Sequence, residues 1–520
     1  MRPPRQLVQI LNKLFSIHPG EAKRTLLLYA LFFMFWLGLR WGGTASETLF
    51  LDKWSAADLS LMFIGNAALA LSIGLVYNSF ADRVSNERLL LILLGLTALW
   101  LVSVQVVLLN DAHNGEGGLV YAYFYLAFLA VADLTSLHTM NYISDFYDTR
   151  AAKRALPFLL SAGFTGAILS GLSIRHIPAR YTPLAWMACL VVMGGLVLLI
   201  RRWLPQDVRR IERSRQGREQ HESGLENLRA GFRFVLGSSM LRWLALSTLV
   251  LVVLMKLLTF EASRVFAAQY EGEALKALYG DIDWISNLAG LVLPTLAFRP
   301  MLSRLGVGTT NLFFPFVTLL SASLLGFLPG RGTALLGRLT DRTIKKVFRN
   351  PADAMLYNSV PLNVKNRARG FINGLVVPLG TLTAGLMLLA MQAGWCTLRT
   401  LAALGVLLGL SYIVISLRVR KAYGHALADL LAEDELSVFR AASQAHLTRP
   451  CSTCSTPSWM PLETITSPCS SPNCCTMLKG ARHSSACKDW PWSAAPRCAP
   501  ASSACWARAG LTTQACINCA

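Results

Sequence analysis

Charged side chains are scarce in this sequence, and acidic ones are the scarcest. Of its 520 residues only 15% are Asp, Glu, Lys or Arg, whereas 53% are hydrophobic. A soluble domain needs more charge than this to cover its surface, so the composition excludes an ordinary soluble protein. The chain is instead predicted to be a polytopic membrane protein whose main partner is the lipid bilayer.

The shortage of acidic residues leaves a large positive charge. The sequence has 29 Asp and Glu against 49 Lys and Arg, which gives a formal net charge of +20. Such an excess can indicate nucleic-acid binding, but here the cations stand in short runs between apolar segments. Loops that face an anionic cytoplasmic leaflet have this pattern. We therefore predict no nucleic-acid partner.

Motifs of common enzymes are also missing. The chain has no Gly-rich phosphate loop, no HExxH sequence and no nucleophile elbow. Asp133 and His138 share one apolar segment, but a spacing of five residues puts them on poorly matched helix faces. The sequence therefore predicts a protein that is not an enzyme, with no catalytic residue, no metal site and no cofactor.

Cysteine is almost absent before residue 450, where only two of the twelve cysteines occur. The other ten lie in an aperiodic Cys-, Ser- and Pro-rich tail at 448–520. Its two CxxC pairs suggest zinc, but they are too far apart for a zinc ribbon, and a disulfide scaffold does not suit the cytoplasm. Three explanations stay open: a reading-frame change, which we favour, disorder with incidental cysteines, or metal binding. All but the last predict low order here.

Twelve apolar segments of roughly 20 residues, the length that a bilayer requires, predict twelve transmembrane helices. Lys and Arg recur in alternate loops, which places both termini in the cytoplasm and makes the protein multi-pass. The predicted spans are 25–51, 59–80, 89–109, 119–140, 156–174, 184–200, 244–266, 274–298, 311–328, 335–356, 370–391 and 397–417.

The spans fall into two halves of six that resemble each other. The segment ISDFYDTRAAKRALPFLLSAGFTG (143–166) and the segment MLYNSVPLNVKNRARGFINGLVVPLG (355–380) each run from polar and aromatic residues through a basic cluster to a small-residue helix. Many secondary transporters are built from such pseudo-repeats. The predicted organisation is a cytoplasmic N-terminus (1–24), a six-helix bundle (25–200), a basic cytoplasmic linker (201–242), a second six-helix bundle (243–417), amphipathic cytoplasmic helices (418–447) and the tail (448–520).

The tenth predicted span carries a basic stripe. Arg338, Arg342, Lys345 and Arg349 follow one another at spacings of 4, 3 and 4, so an α-helix presents them on one face. Each would cost at least ~2.5–3.5 kcal/mol if it faced lipid near the bilayer centre. We therefore expect this face to meet a watery cavity or an anion. The alternative is an amphipathic helix at the membrane interface, with Asp341 paired to Lys345.

Other ionisable residues also lie inside predicted spans, where such groups usually pair or line a pathway. For each one the alternative is a structural pair between helices. As a set they favour a polar translocation path. The predicted anion-contacting cations are Arg40, Lys256, Arg338, Arg342 and Lys345, and the predicted counter-charges or proton carriers are Glu47, Asp133 and Glu261.

Three segments resemble the ATP/ADP translocase family of bacteria and plastids, and most closely its distant bacterial branch with a soluble C-terminal domain. They read ASETLFL (45–51), AAKRALPFLLSAGFTGA (151–167) and FRNPADAMLYNSVPLNVKNRARGFINGLVVPLG (348–380). In addition, Asp82, Arg83 and Arg88 resemble the loop motif of major facilitators. The similarity covers about residues 20–430.

This resemblance implies a major facilitator-like, all-α carrier in the bacterial inner membrane. Such a carrier exchanges nucleotides such as ATP and ADP, or moves another phosphorylated anion, by alternating access and without a cofactor. One departure concerns the substrate. Nucleotide exchangers of the family carry a Lys–Asp pair in the first span, where this chain has Ser46 and Glu47. One expected phosphate-binding cation is therefore missing.

Two hypotheses about function follow from the sequence. The first is a secondary transporter for a nucleotide or a similar organic anion. The second is a membrane scaffold or sensor that anchors a cytoplasmic domain without transport. Arg338 and Arg342 distinguish them, because a carrier needs cations that face a cavity, whereas a scaffold tolerates them against lipid or sealed in internal ion pairs.

Overall fold

The computed structural model of the chain is helical throughout the part that it describes, which comprises residues 19–81, 84–114, 118–147, 149–203, 224–360 and 362–448. Within these ranges there is no β-strand. The predicted tail and the predicted N-terminal segment up to residue 18 lie outside the described residues, as do Asp82 and Arg83.

The first half contains six long helices that match the six predicted spans. Apolar side chains of the first helix and of the third to sixth helices form one core, to which Phe35, Phe124 and Trp186 contribute. The helices are α1 (Pro19–Lys53), α2 (Leu59–Ala81), α3 (Asn86–Asn114), α4 (Gly118–Ser144), α5 (Thr149–Ser173) and α6 (Thr182–Trp203).

The second half begins with a short helix in the predicted linker and continues with the remaining spans. Its helices are α7 (Gly224–Gly237), α8 (Ser239–Ala267), α9 (Gly272–Leu293), α10 (Arg299–Phe327), α11 (Arg331–Leu339), α12 (Asn350–Leu356), α13 (Leu362–Phe371), α14 (Val377–Gln392) and α15 (Leu398–Thr448). The last of these continues without a break from the final predicted span through the segment predicted to be cytoplasmic.

Three π-helical segments join consecutive helices of this half. Pro294–Phe298 connects α9 to α10, Thr340–Arg349 connects α11 to α12, and Ile372–Val376 connects α13 to α14. The middle segment is ten residues long. π-Helical turns are rare and occur frequently at functional sites. Here the longest one coincides with the basic stripe.

The predicted loop between the eighth and ninth spans is a bend inside α10. Gly306 has a φ of 72° and a ψ of 170° there, which interrupts the helical backbone. An L-residue with a side chain rarely adopts this conformation, whereas glycine does so at little cost. The bend therefore separates the end of one span from the start of the next.

Ten stretches of the described residues are long and apolar enough to cross a membrane. One of them, Gly272–Phe327, is 56 residues long and contains two of the predicted spans. The charged stretch from α11 to α12 is not among the ten, because its cations lower its hydropathy. Large apolar side chains such as Leu99 and Val191 point outwards from the helices, as expected for lipid contact. The chain is thus an all-α polytopic membrane protein.

The two halves meet along two pairs of helices. Helix α5 packs against α9, and α2 packs against α14. At the first contact, a Cβ added to Gly171 would lie 2.5 Å from the carbonyl oxygen of Gly280. The backbones approach this closely only because both residues are glycines. These two seams leave space between the halves for a central cavity.

Candidate functional site

The central cavity has a volume of about 460 Å³. It is lined by α1, α2 and α4 of the first half and by α8, α9 and the helix running from α11 to α12 of the second half. A cavity of this size is within the range of small-molecule sites, which is about 300–1,000 Å³.

The lining of the cavity contains ten ionisable side chains other than tyrosine. The cations are Arg40, Lys256, Arg338, Arg342, Lys345 and Lys346, and the carboxylates are Glu47, Asp133, Asp283 and Asp341. Seven of the eight residues that the sequence singled out are therefore brought together. The exception is Glu261, which is buried in α8 and does not line the cavity.

Arg338 forms an ion pair with Glu47 across the two halves. The arginine side chain is only 2% exposed, and its guanidinium also lies 4.7 Å from the centre of the Tyr279 ring. A buried charge needs such a partner, since an isolated one is strongly disfavoured. The pair therefore fixes the relative positions of α1 and α11.

Arg342 extends this pair into a network. Its guanidinium lies 3.3 Å from Oε2 of Glu47 and 2.7 Å from Oδ1 of Asp283, and Thr44 donates a hydrogen bond to the other oxygen of Asp283 at 3.3 Å. Arg342 remains 22% exposed, so it can still meet a solute in the cavity. We call Glu47, Arg338, Arg342 and Asp283 the ion-pair network. Its formal charge is zero.

The two lysines of the same segment that line the cavity, Lys345 and Lys346, also have hydrogen-bond partners. Lys345 donates to Asp341 at 3.1 Å, which confirms the pair predicted from their spacing of four residues. Lys346 donates to the amide oxygen of Asn287 on α9 at 3.1 Å. Each of these bonds holds an ammonium group at the cavity wall.

The prediction that Arg349 shares the face of the other cations is wrong. Its side chain is buried away from the cavity, where it donates to Asn311 at 2.9 Å and pairs with Asp353 at 3.2 Å. The projection assumed an α-helix, but the segment is π-helical, with more residues in each turn. The wider turn rotates Arg349 off the stripe and brings Lys346 onto it.

Arg40 and Lys256 differ from the other cavity cations because, among the described residues, neither has an ion pair or a hydrogen bond to a side-chain acceptor. The guanidinium of Arg40 lies 5.0 Å from the centre of the Trp36 ring, and its buried Nε has no hydrogen-bond partner. The ammonium of Lys256 lies 4.7 Å from the centre of the Phe63 ring. One of these cations belongs to α1 and the other to α8, so each half contributes one.

Asp133 also lines the cavity, and within the described part of the chain its carboxylate has no ion pair or hydrogen bond with another side chain. Ser46, where the sequence resemblance led us to expect a lysine, is fully buried and donates to the carbonyl oxygen of Gly43. It does not reach the cavity.

Asp283 and Lys346 line the cavity but were not among the predicted site residues. Asp283 lies in the middle of an apolar span, which is the same signal that identified Asp133. Lys346 gives no comparable signal, because its position depends on the π-helical winding.

A second set of polar contacts joins the halves at the helix ends predicted to lie outside. Lys276 donates to the carbonyl oxygen of Ile177, Arg175 pairs with Asp281, and Gln392 bonds to both Ser60 and Asp58. The backbone amides of Gly272 and Ala179 donate to Asp52 at 3.0 Å and Glu273 at 2.8 Å. These contacts hold the two halves together at that end.

No family model matches this chain, and no curated protein matches it either. Solved structures do. The nucleoside transporter NupG is 15% identical, with a TM-score of 0.52 over 75% of this chain and 98% of that one. The POT family transporter PepTSo is 12% identical, with a TM-score of 0.54 over 78% and 98%.

A bacterial homologue of the iron transporter ferroportin is 13% identical, with a TM-score of 0.51 over 76% of this chain and 99% of that one. Likenesses at this level of identity concern the fold. They confirm the expected all-α, major facilitator-like architecture. They do not support the more specific sequence resemblance to ATP/ADP translocases.

Proposed function

We propose that this protein is a secondary transporter that moves an organic anion across the membrane by alternating access. The observation that carries the proposal is the pair of cations without carboxylate partners, Arg40 and Lys256, one from each half of the fold and both at the cavity. The sequence resemblance further suggests a nucleotide such as ATP or ADP, moved by exchange across a bacterial inner membrane with both termini in the cytoplasm.

Electrostatics explains why such cations favour an anionic substrate. A cation inside a membrane protein is costly unless a counter-charge or water stabilises it. Arg40 and Lys256 keep their hydrogen-bond donors free for a solute, and phosphate or carboxylate oxygens accept charge-assisted hydrogen bonds from both residue types. An anion that contacts both Arg40 and Lys256 would supply the counter-charge that each of them lacks.

The ion-pair network suggests how binding is linked to the change of access. Glu47 belongs to the first half, whereas Arg338, Arg342 and Asp283 belong to the second. To open the cavity at the predicted outer end, the halves must part, and Arg338 must leave Glu47. An anion beside Arg342 supplies a substitute counter-charge, which lowers the cost of that separation.

The test is uptake into proteoliposomes that contain the purified full-length chain. Labelled ATP, ADP and other organic phosphates would be compared for the parent protein and for the double variant Arg40→Gln, Lys256→Gln. The control is Arg399→Gln, because Arg399 is exposed and lies outside the cavity. Saturable uptake that the double variant loses and the control keeps would support an anion carrier.

The scaffold hypothesis keeps one observation in its favour. Arg338 is sealed in an internal ion pair, as expected for a structural cation that never meets a substrate. Uptake of none of the tested anions by a correctly folded protein would favour this second function.

A further inference from the structure

The charges around the cavity do not cancel. The six cations and four carboxylates of the lining leave an excess of two positive charges when each group has its usual ionisation. The ion-pair network is neutral, and Lys345 and Asp341 neutralise each other. The excess therefore lies with Arg40, Lys256 and Lys346, opposed only by Asp133.

From this balance we infer that the cavity takes an organic dianion of the phosphate-monoester class, in preference to nucleoside diphosphates and triphosphates. The inference rests on the proposed anion carrier and departs from the ATP and ADP that the sequence resemblance suggests. A phosphate monoester carries a charge of about −1.5 to −2 at pH 7. It would bring the cavity close to neutrality.

The cavity has no further unpaired cations for a substrate of higher negative charge. Arg338, Arg342 and Lys345 each already contact a carboxylate, so they would have to leave that partner to bind a second or third phosphate. Any negative charge left over would lack a counter-charge inside the membrane protein, where an unpaired ion is strongly disfavoured.

The shape and polarity of the lining favour an organic substrate over inorganic phosphate. Trp36, Phe63 and Phe128 supply aromatic surface beside the free cations. Small-molecule sites combine such apolar walls with a few placed polar groups. A monoester can bind its phosphate between Arg40 and Lys256 and lay its organic part against these rings.

The experiment measures equilibrium binding to the purified full-length chain with a series that varies charge on one scaffold. The ligands are adenosine, AMP, ADP and ATP, without magnesium, and glucose 6-phosphate serves as a monoester that is not a nucleotide. AMP is expected to bind at least about tenfold more tightly than ADP or ATP, since a nearby charge in a protein site has an effect of this order. Adenosine is expected to bind more weakly than AMP.

Two nearly isosteric substitutions then change the charge of the cavity without changing its volume. Asp133→Asn raises the excess to three positive charges. It should therefore increase the affinity for ADP relative to that for AMP about tenfold. Asn66→Asp, at another lining residue, lowers the excess to one and should weaken AMP binding. The variant with both substitutions has the original excess of two positive charges and should again prefer AMP. If either substitution acted only by disturbing the structure, the preference would not return in this variant.

Tighter binding of ADP or ATP than of AMP would overturn the inference and leave the proposed anion carrier intact. A ratio of AMP affinity to ADP affinity that neither substitution changes would also overturn it. If none of the charged ligands binds while the protein keeps its helical circular dichroism and elutes as one species, both the inference and the proposed function fail. Binding of AMP but not of glucose 6-phosphate would support the monoester and restrict it to nucleotides.

Discussion

Glu47 is the residue whose loss should affect the fold most strongly, because two arginines depend on it. In Glu47→Gln the side chain keeps its size but loses the charge that Arg338 contacts. Arg342 retains Asp283, whereas Arg338, at 2% exposure, cannot turn to solvent. Removing one partner of a buried ion pair typically costs about 3–5 kcal/mol, and we expect Glu47→Gln to lower the free energy of unfolding by that amount.

The assay is SDS-induced unfolding of the purified protein, followed by the loss of helical circular dichroism. The double variant Glu47→Gln, Arg338→Gln removes both charges and is expected to recover about 2–3 kcal/mol relative to the sum of the two single variants. Asp281→Asn is the matched control, because its partner Arg175 and Asp281 are 43% and 42% exposed, and such surface pairs contribute only about 0–1 kcal/mol. A loss for Glu47→Gln no larger than that of the control would refute the account of the ion-pair network.

Two further substitutions separate structural from functional roles. Gly171→Ala should force α5 away from the carbonyl of Gly280 and lower the stability by about 1–3 kcal/mol in the same assay, whereas Gly195→Ala, where an added Cβ meets nothing within 4 Å, should be neutral or slightly stabilising. Equal effects of the two would contradict the proposed close contact. Arg349→Gln should lower the stability by about 1–3 kcal/mol, because the buried Asn311 loses its hydrogen-bond donor and the partly exposed Asp353 loses its ion-pair partner, yet leave anion affinity unchanged. If the variant lost anion affinity but kept its stability, Arg349 would have to contact the substrate after all.

The fold was predictable because apolar segments long enough to cross a bilayer need no tertiary information to be recognised. Composition and the cation-rich loops were sufficient to predict an all-α membrane protein. Local pairs were equally accessible, as Asp341 and Lys345 show, since their contact follows from helical spacing alone. Arg40 and Glu47, which were both predicted as site residues in the first span, line one cavity.

Contacts between distant segments could not be predicted in the same way. Glu47 and Arg338 are 291 positions apart, and nothing in either neighbourhood specifies the other as its partner. Arg349 was misplaced for a different reason, because helical projection has no means of anticipating a π-helical segment. Glu261 resembles Glu47 in sequence context, yet the rotation of α8 turns it away from the cavity that Lys256 lines.

The burial of Arg338 fits a scaffold but does not exclude a carrier, because the arginines and lysines at and near the cavity differ in their partners. Arg338 is buried against Glu47 and Arg349 is buried against Asn311, and these contacts hold helices together, a role that either function requires. Arg40 and Lys256 have cavity access but, within the described residues, no carboxylate partner, which a scaffold would have no reason to retain at the expense of stability. Arg342 combines both features, since it closes the ion-pair network and remains partly exposed. An anion that reaches Arg342 can compete with Glu47 for it, and in this way occupancy of the cavity can weaken the contact that keeps the halves together.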